Sequence, residues 1–163
     1  MSEQYRFFEP HIPSHADILD IGFGSGRDIK YFTSKGHNVE GIDIDEEFVE
    51  YAKSIGMNVS LQNIMTFNPD KKYDAIWACA SLVHISKEKL PKIFEKLKSL
   101  LKPNGVVYVS LKYGTFEGYI AEQYYTYLDE KAVESFNLNL VDMRKTSDCL
   151  NRGNEWISFI FKK

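Results

Sequence analysis

Cysteine, proline and long apolar runs are all scarce in this sequence, and each shortage closes off a class of protein. The two cysteines among 163 residues, Cys79 and Cys149, stand far apart, and no metal-ligand spacing joins them to His11, His15, His37 or His84. A disulfide scaffold and a metal centre are therefore not expected, and two free thiols suit a reducing cytoplasm. No apolar run approaches the roughly 20 residues of a membrane-spanning helix. Met1-Ser2-Glu3-Gln4 also lacks a signal peptide's basic and apolar regions, so the expectation is a cytoplasmic protein without a membrane partner. Five prolines and ten glycines leave no linker or low-complexity tract. The formal net charge of −3 offers no global attraction for nucleic acid, although a local basic patch is invisible in such a sum. At this length one domain over 1–163 is expected, large enough for a genuine core.

What is present is a glycine loop in the right setting. Asp20-Ile21-Gly22-Phe23-Gly24-Ser25-Gly26-Arg27 follows the apolar Ile18 and Leu19 and opens into a helical pattern carrying Ile29, Tyr31 and Phe32. A strand, a glycine turn and a helix let a nucleotide-type cofactor approach the backbone closely. The dinucleotide fingerprint, however, wants a small residue where this chain has Arg27. The next apolar stretch, Val39-Glu40-Gly41-Ile42-Asp43, reads as a strand ending in a carboxylate. In a doubly wound sheet an acid there can accept hydrogen bonds from both ribose hydroxyls; the alternative makes Asp43 a turn residue. Asp45 just beyond it is placed to cap the helix containing Phe48, Val49 and Ala52.

Strand and helix patterns go on alternating. Asn58–Leu61 and Tyr73–Cys79 read as the third and fourth strands, and a helix is expected between Ser86 and Leu101, where apolar residues recur at helical spacing. Ser86 is its expected N-cap, Pro91 disturbs or starts its first turn, and Lys102-Pro103-Asn104-Gly105 stops it. Val106–Leu111 suits a central buried strand. Lys112–Tyr127 is rich in glycine and tyrosine without a clear period and is expected to be a loop or lid. Asp129 should cap a short helix through Phe136. Leu138–Met143 and Trp156–Phe161 should form a final strand pair across the polar stretch from Asp148 to Asn154. The fold class is thus α/β, a doubly wound, mostly parallel sheet with helices on both faces and an antiparallel C-terminal strand.

The motif Asp20-Ile21-Gly22-Phe23-Gly24-Ser25-Gly26 resembles motif I of class I S-adenosylmethionine-dependent methyltransferases. Asp43, the strand and loop from Tyr73 to His84, and Leu100-Leu101-Lys102-Pro103-Asn104-Gly105 match later family features in order, so a seven-stranded sheet is implied. Within the family the chain is similar to small bacterial tellurite-resistance-type methyltransferases. The resemblance implies S-adenosylmethionine as cofactor, with the backbone of Gly22, Gly24 and Gly26 close to its methionine and ribose. Asp20 would orient the ammonium and Asp43 bind the ribose. Asn63, where the family usually has an acid, would accept from the adenine amino group, with Ile64 as its apolar neighbour and Ala78 completing the cofactor-binding set. On the acceptor side His84 stands where some relatives place a base, and packing at a helix start is its alternative role. Tyr113, Tyr119, Tyr124, Tyr125 and Tyr127 either line the acceptor pocket or pack their loop. Cys79 reads as a buried strand cysteine, and the lysines from Lys87 to Lys102 as a solvated helix face.

Only about sixteen residues precede the first strand, whereas many relatives have a longer N-terminal segment closing over the site. A large acceptor, a homodimer or weak activity are the expected consequences. Methyl transfer to a small-molecule acceptor leads, an inactive S-adenosylmethionine-binding module acting through a partner is the alternative, and Arg27 argues against a nicotinamide enzyme.

Overall fold

The computed structural model describes residues 2–147 and 153–163; Cys149 and most of the polar connection expected at 148–154 lie outside the described residues. In chain order the elements are α1 (Ser2–Phe8), β1 (Asp17–Ile21), α2 (Arg27–Ser34), β2 (Asn38–Asp43), α3 (Glu46–Ser54), β3 (Val59–Leu61) and β4 (Tyr73–Cys79). There follow α4 (Leu90–Leu100), β5 (Leu101–Tyr113), β6 (Glu117–Ile120), β7 (Gln123–Leu128), α5 (Glu130–Ser135), β8 (Asn139–Ser147) and β9 (Glu155–Lys162).

Strands that are apolar on both sides must be covered on both faces, and β1 and β4 are of this kind, with Ile18, Leu19, Ile76 and Trp77 fully buried. β1 pairs in parallel with β2 and β4, β2 with β3, and β4 with β5, while β9 runs antiparallel along β5 and β8 antiparallel along β9. This is the expected doubly wound sheet, with strand order reversing between β1 and β4. On one face Leu90, Ile93, Phe94 and Leu97 of α4 share a mixed buried cluster with Leu19, Ile76 and Val107. The other is aromatic. Phe8 of α1 and Phe32 of α2 each lie 5.1 Å from Trp77, which stacks on Tyr108 at 4.0 Å.

Local signals held where the physics is local. Asp45 accepts hydrogen bonds from the Glu47 and Phe48 amides, and Asp129 from the Ala132 amide, as N-caps should. Ser86 does not cap α4, which begins at Leu90 with Pro91 in its first turn; the Ser86 carbonyl instead accepts from Lys89 and Leu90 in a preceding turn. The Lys102–Gly105 stop survives as an irregularity inside β5: Tyr73 pairs with Leu101 and Ala75 with Val106, with Asn104 at φ 65°.

The expected loop at Lys112–Tyr127 is the main correction. β5 runs on to Tyr113, and β6 and β7 form an antiparallel hairpin whose Tyr127 and Leu128 pair in parallel with Lys112 and Tyr113. β7 takes the edge of β5 beyond Ser110, where pairing with β4 ends. Tyrosine favours strands but presents both an apolar ring and a hydroxyl, so the alternation that marks a strand is invisible in such a run. With this hairpin the sheet has nine strands among the described residues, the seven expected and two more.

Candidate cofactor and acceptor site

In a doubly wound sheet ligands bind at the carboxyl ends of the strands where their order reverses, here between β1 and β4. The glycine loop occupies this point. Gly22 has φ 68°, and a Cβ there would stand 2.5 Å from that of Ser81, so only glycine lets the loop after β1 pass the loop after β4. Gly24, at φ 53°, is different: nothing lies within 4 Å of its missing Cβ, so it faces open space. Gly26 closes the loop by donating to the Phe23 carbonyl at 3.0 Å.

Asp43 is buried at the tip of β2 and is tied to this loop. Its Oδ2 accepts from the Gly24 amide at 2.9 Å and its Oδ1 from the Asp45 amide at 3.0 Å. The turn role considered for Asp43 is therefore filled, yet each carboxylate oxygen keeps a lone pair for another donor. Asp20, at the end of β1, is 2% exposed, and its Oδ2 has no hydrogen-bond partner among the described residues. Burial first, and then the negative charge of Asp28, push its carboxyl well above the usual carboxylate range. An unmet buried polar atom behind an open glycine loop fits a ligand that brings its own donor.

The other expected residues are more dispersed. Asn63, exposed after β3, has its Oδ1 engaged by the Met65 amide at 2.9 Å, and Ile64 beside it is buried. Ala78 is fully buried in the cluster under α4, and β4 ends one residue later at Cys79. There Ala80 takes the left-handed conformation, φ 56°, its amide held by both the carbonyl and the hydroxyl of Ser110. Ser81 follows with a buried hydroxyl that lacks a partner among the described residues. Burial pushes the Cys79 thiol up to about 12, so it is no thiolate nucleophile at neutral pH.

His84 ends the short 3-10 turn Leu82–His84 and is exposed. Its Nδ1 lies 2.7 Å from the Tyr124 carbonyl, and its ring is 4.8 Å from that of Tyr125. A carbonyl only accepts, so Nδ1 donates in this contact and Nε2 is the ring nitrogen left free of it. The hairpin that supplies Tyr124 is docked: Glu117 Oε1 accepts from the Lys87 amide and the Tyr124 hydroxyl, both at 2.8 Å.

Three features escaped the sequence reading. Ala80 and Ser81 lay within the matched loop before His84, but their hold on Ser110 and Gly22 carried no signal. Ile44, next to Asp43, is 74% exposed, an apolar side chain at a strand tip that could have been noticed. Asp28 is the third. It sits beneath Arg27 and accepts from the Tyr5 hydroxyl at 2.6 Å, Trp77 Nε1 at 2.9 Å and the Arg27 guanidinium at 2.8 and 3.2 Å. Burial alone would raise its carboxyl, but these hydrogen bonds outweigh it and hold it below the usual range. Beside this cluster a surface groove of about 680 Å³ is lined by Tyr5, Ser25, Arg27, Lys30, Tyr31 and Tyr51.

A reversal of strand order, an open glycine loop at that reversal and an acid at the tip of the neighbouring strand define a nucleotide-type cofactor-binding domain of the doubly wound class. The family model described as a methyltransferase domain matches residues 18–105, more than half of the chain, and the chain belongs to that family. Phosphoethanolamine N-methyltransferase of Plasmodium falciparum is 28% identical over 130 residues, covering 69% of this chain and 48% of that protein. The 1,6-didemethyltoxoflavin-N1-methyltransferase of Burkholderia thailandensis, solved with 1,6-didemethyltoxoflavin and S-adenosylhomocysteine bound, superposes with a TM-score of 0.81. Its identity is 21%, over 99% of this chain and 76% of that one. TehB from Haemophilus influenzae superposes with a TM-score of 0.76 at 17% identity over 100% of this chain and 62% of that one. At these identities what the two structures share with this chain is the fold. The chain spans between 38% and 48% of the length of the first curated relatives it matches. Among the described residues no helix is long and apolar enough to cross a membrane.

Proposed function

We propose that this domain transfers the methyl group of S-adenosylmethionine to a small-molecule acceptor. The observation that carries this reading is the pairing of the open glycine loop, tied to Asp43, with the unmet buried Oδ2 of Asp20. The backbone of Gly22, Gly24 and Gly26 gives close approach, and Asp43 keeps lone pairs for the ribose hydroxyls. Asp20 receives the ammonium, whose positive charge would draw its carboxyl back toward ionisation. Asn63, through the second lone pair of Oδ1, takes the adenine amino group beside Ile64, and the exposed side chain of Ile44 offers the base an apolar surface. Ala78 contributes as rigid floor, since its side chain is buried. When bound, the cofactor supplies a methyl group already activated by its sulfonium. His84 holds its Nδ1 proton on the Tyr124 carbonyl and presents Nε2 to take the proton that an acceptor hydroxyl or amine must lose.

Thermal-shift measurements with S-adenosylmethionine, S-adenosylhomocysteine and NAD test the reading. The first two should raise Tm, because a ligand that binds only the native state stabilises it by mass action. A shift with NAD alone would refute it. Methyl-release screening over oxygen, nitrogen, sulfur and metalloid acceptors then identifies the acceptor atom.

A further inference from the structure

The carboxyl end of β5 carries a lysine whose surroundings are incomplete. Lys112 is part-buried and pairs in register with Tyr127 of β7. Its Nζ donates to the Tyr127 hydroxyl at 3.3 Å and lies 4.9 Å from the centre of the Tyr125 ring and 5.4 Å from that of Tyr127. Two ring faces attract the ammonium but do not neutralise it. Like most lysines among the described residues, Lys112 has no carboxylate within ion-pair distance; what sets it apart is that its part-buried Nζ lies against two tyrosine rings beside His84. An ammonium with donors to spare is completed most strongly by an oxyanion, through charge-assisted hydrogen bonds.

The location turns this into a statement about the substrate. The Tyr125 ring that Lys112 covers is the one against which His84 packs, so ammonium and imidazole both contact one ring. The hairpin that carries this ring is fixed in place. Glu117 bridges Lys87 and Tyr124, Lys87 Nζ donates to the Thr115 carbonyl at 3.0 Å, and the Tyr127 amide donates to the Phe116 carbonyl at 2.8 Å. Two residues before Lys112, Ser110 holds the amide of Ala80, whose neighbour Ser81 abuts the glycine loop at Gly22. Lysine and histidine thus meet at Tyr125, and the chain links them through Ser110 and Ser81 to the glycine loop at the carboxyl ends of β1, β4 and β5.

We propose that Lys112, held by Tyr125 and Tyr127, is the anion-recognition residue of the acceptor pocket, so that the acceptor bears a carboxylate or a phosphate. This rests on the methyltransferase reading of the same site. The anion is gripped at Lys112 and the nucleophile of the acceptor is presented toward His84, so binding energy remote from the reacting atom serves to orient it.

Isothermal titration calorimetry with 4-hydroxybenzoate, phenyl phosphate and phenol tests this on the wild type, Lys112→Met and Lys112→Arg, with and without S-adenosylhomocysteine. At least one anion should bind the wild type tenfold or more tighter than phenol. That advantage should vanish in Lys112→Met, return in part in Lys112→Arg and weaken with added salt; which anion shows it separates carboxylate from phosphate. Anions that bind wild type and Lys112→Met alike, or no better than phenol, would overturn the proposal. Should S-adenosylhomocysteine fail to bind while the Lys112-dependent advantage persists, the methyltransferase reading falls and the anion site stands.

Discussion

Asp20 and Asp28 are both acidic and both buried, yet they stand in opposite kinds of surroundings. Around Asp28 every polar group is met: Tyr5, Arg27 and Trp77 all converge on it and pin α1 and α2 to β4. Around Asp20 groups are left over, its own Oδ2 and the hydroxyl of Ser81 in the loop against Gly22. Closed hydrogen-bond networks fix structure, whereas unmet buried groups are tolerated where a ligand meets them. The two carboxyls accordingly shift in opposite directions, Asp20 upward and Asp28 downward.

His84→Ala gives the sharpest test of the rim. Loss of a general base should lower the methyl-transfer rate by about 10²–10⁴-fold, read by steady-state kinetics once an acceptor is in hand, while S-adenosylmethionine affinity measured in parallel stays near that of the wild type. A change below threefold would leave His84 a packing residue.

On the closed side, Asp28→Ala should reduce unfolding free energy by about 3 kcal/mol, since it strands the Arg27 charge and the Tyr5 and Trp77 donors. Arg27 is more than half exposed, which keeps the loss at the low end. Urea denaturation measures this. The stability from Asp28 is present above the ordinary carboxyl pKa and is lost as pH falls through its depressed folded value.

Asp43 lies between the two regions in character. Asp43→Ala should weaken S-adenosylmethionine binding by roughly 1–3 kcal/mol, with some loss of stability as the Gly24 and Asp45 amides lose their acceptor. Asp43→Asn retains an acceptor and should lose less on both counts. Equal affinities by calorimetry would leave Asp43 as the turn residue alone.

The smallest effect, and the one of opposite sign, belongs to Asp20. Its folded state holds a proton that the unfolded chain releases, so its contribution is favourable below the ordinary carboxyl pKa and is lost as pH rises toward the raised folded value. Asp20→Asn should therefore gain stability at neutral pH, on the order of 1 kcal/mol, and lose cofactor affinity. A variant destabilised at pH 7 would move Asp20 to the structural side of the comparison.

What could be read from the chain follows the range of the forces involved. The glycines, the tip of β2 and the caps at Asp45 and Asp129 were legible because their conformations are set within a few residues. The parallel sheet was legible because strands covered on both faces are apolar throughout. The hairpin was not, since Lys112–Tyr127 pairs only once β5 offers an edge that β4 has vacated. Nor was the difference between Asp20 and Asp28, because the partners of Asp28 come from Tyr5 and Trp77, far away in the chain. The sequence by itself determined a glycine loop between a strand and a helix, and with it the place where a cofactor approaches, because backbone conformation is a local property. Only the tertiary structure decided which carboxyl is satisfied, which His84 nitrogen meets a carbonyl and which lysine lies against the tyrosine rings beside it, because hydrogen bonding and desolvation depend on neighbours that folding alone brings together.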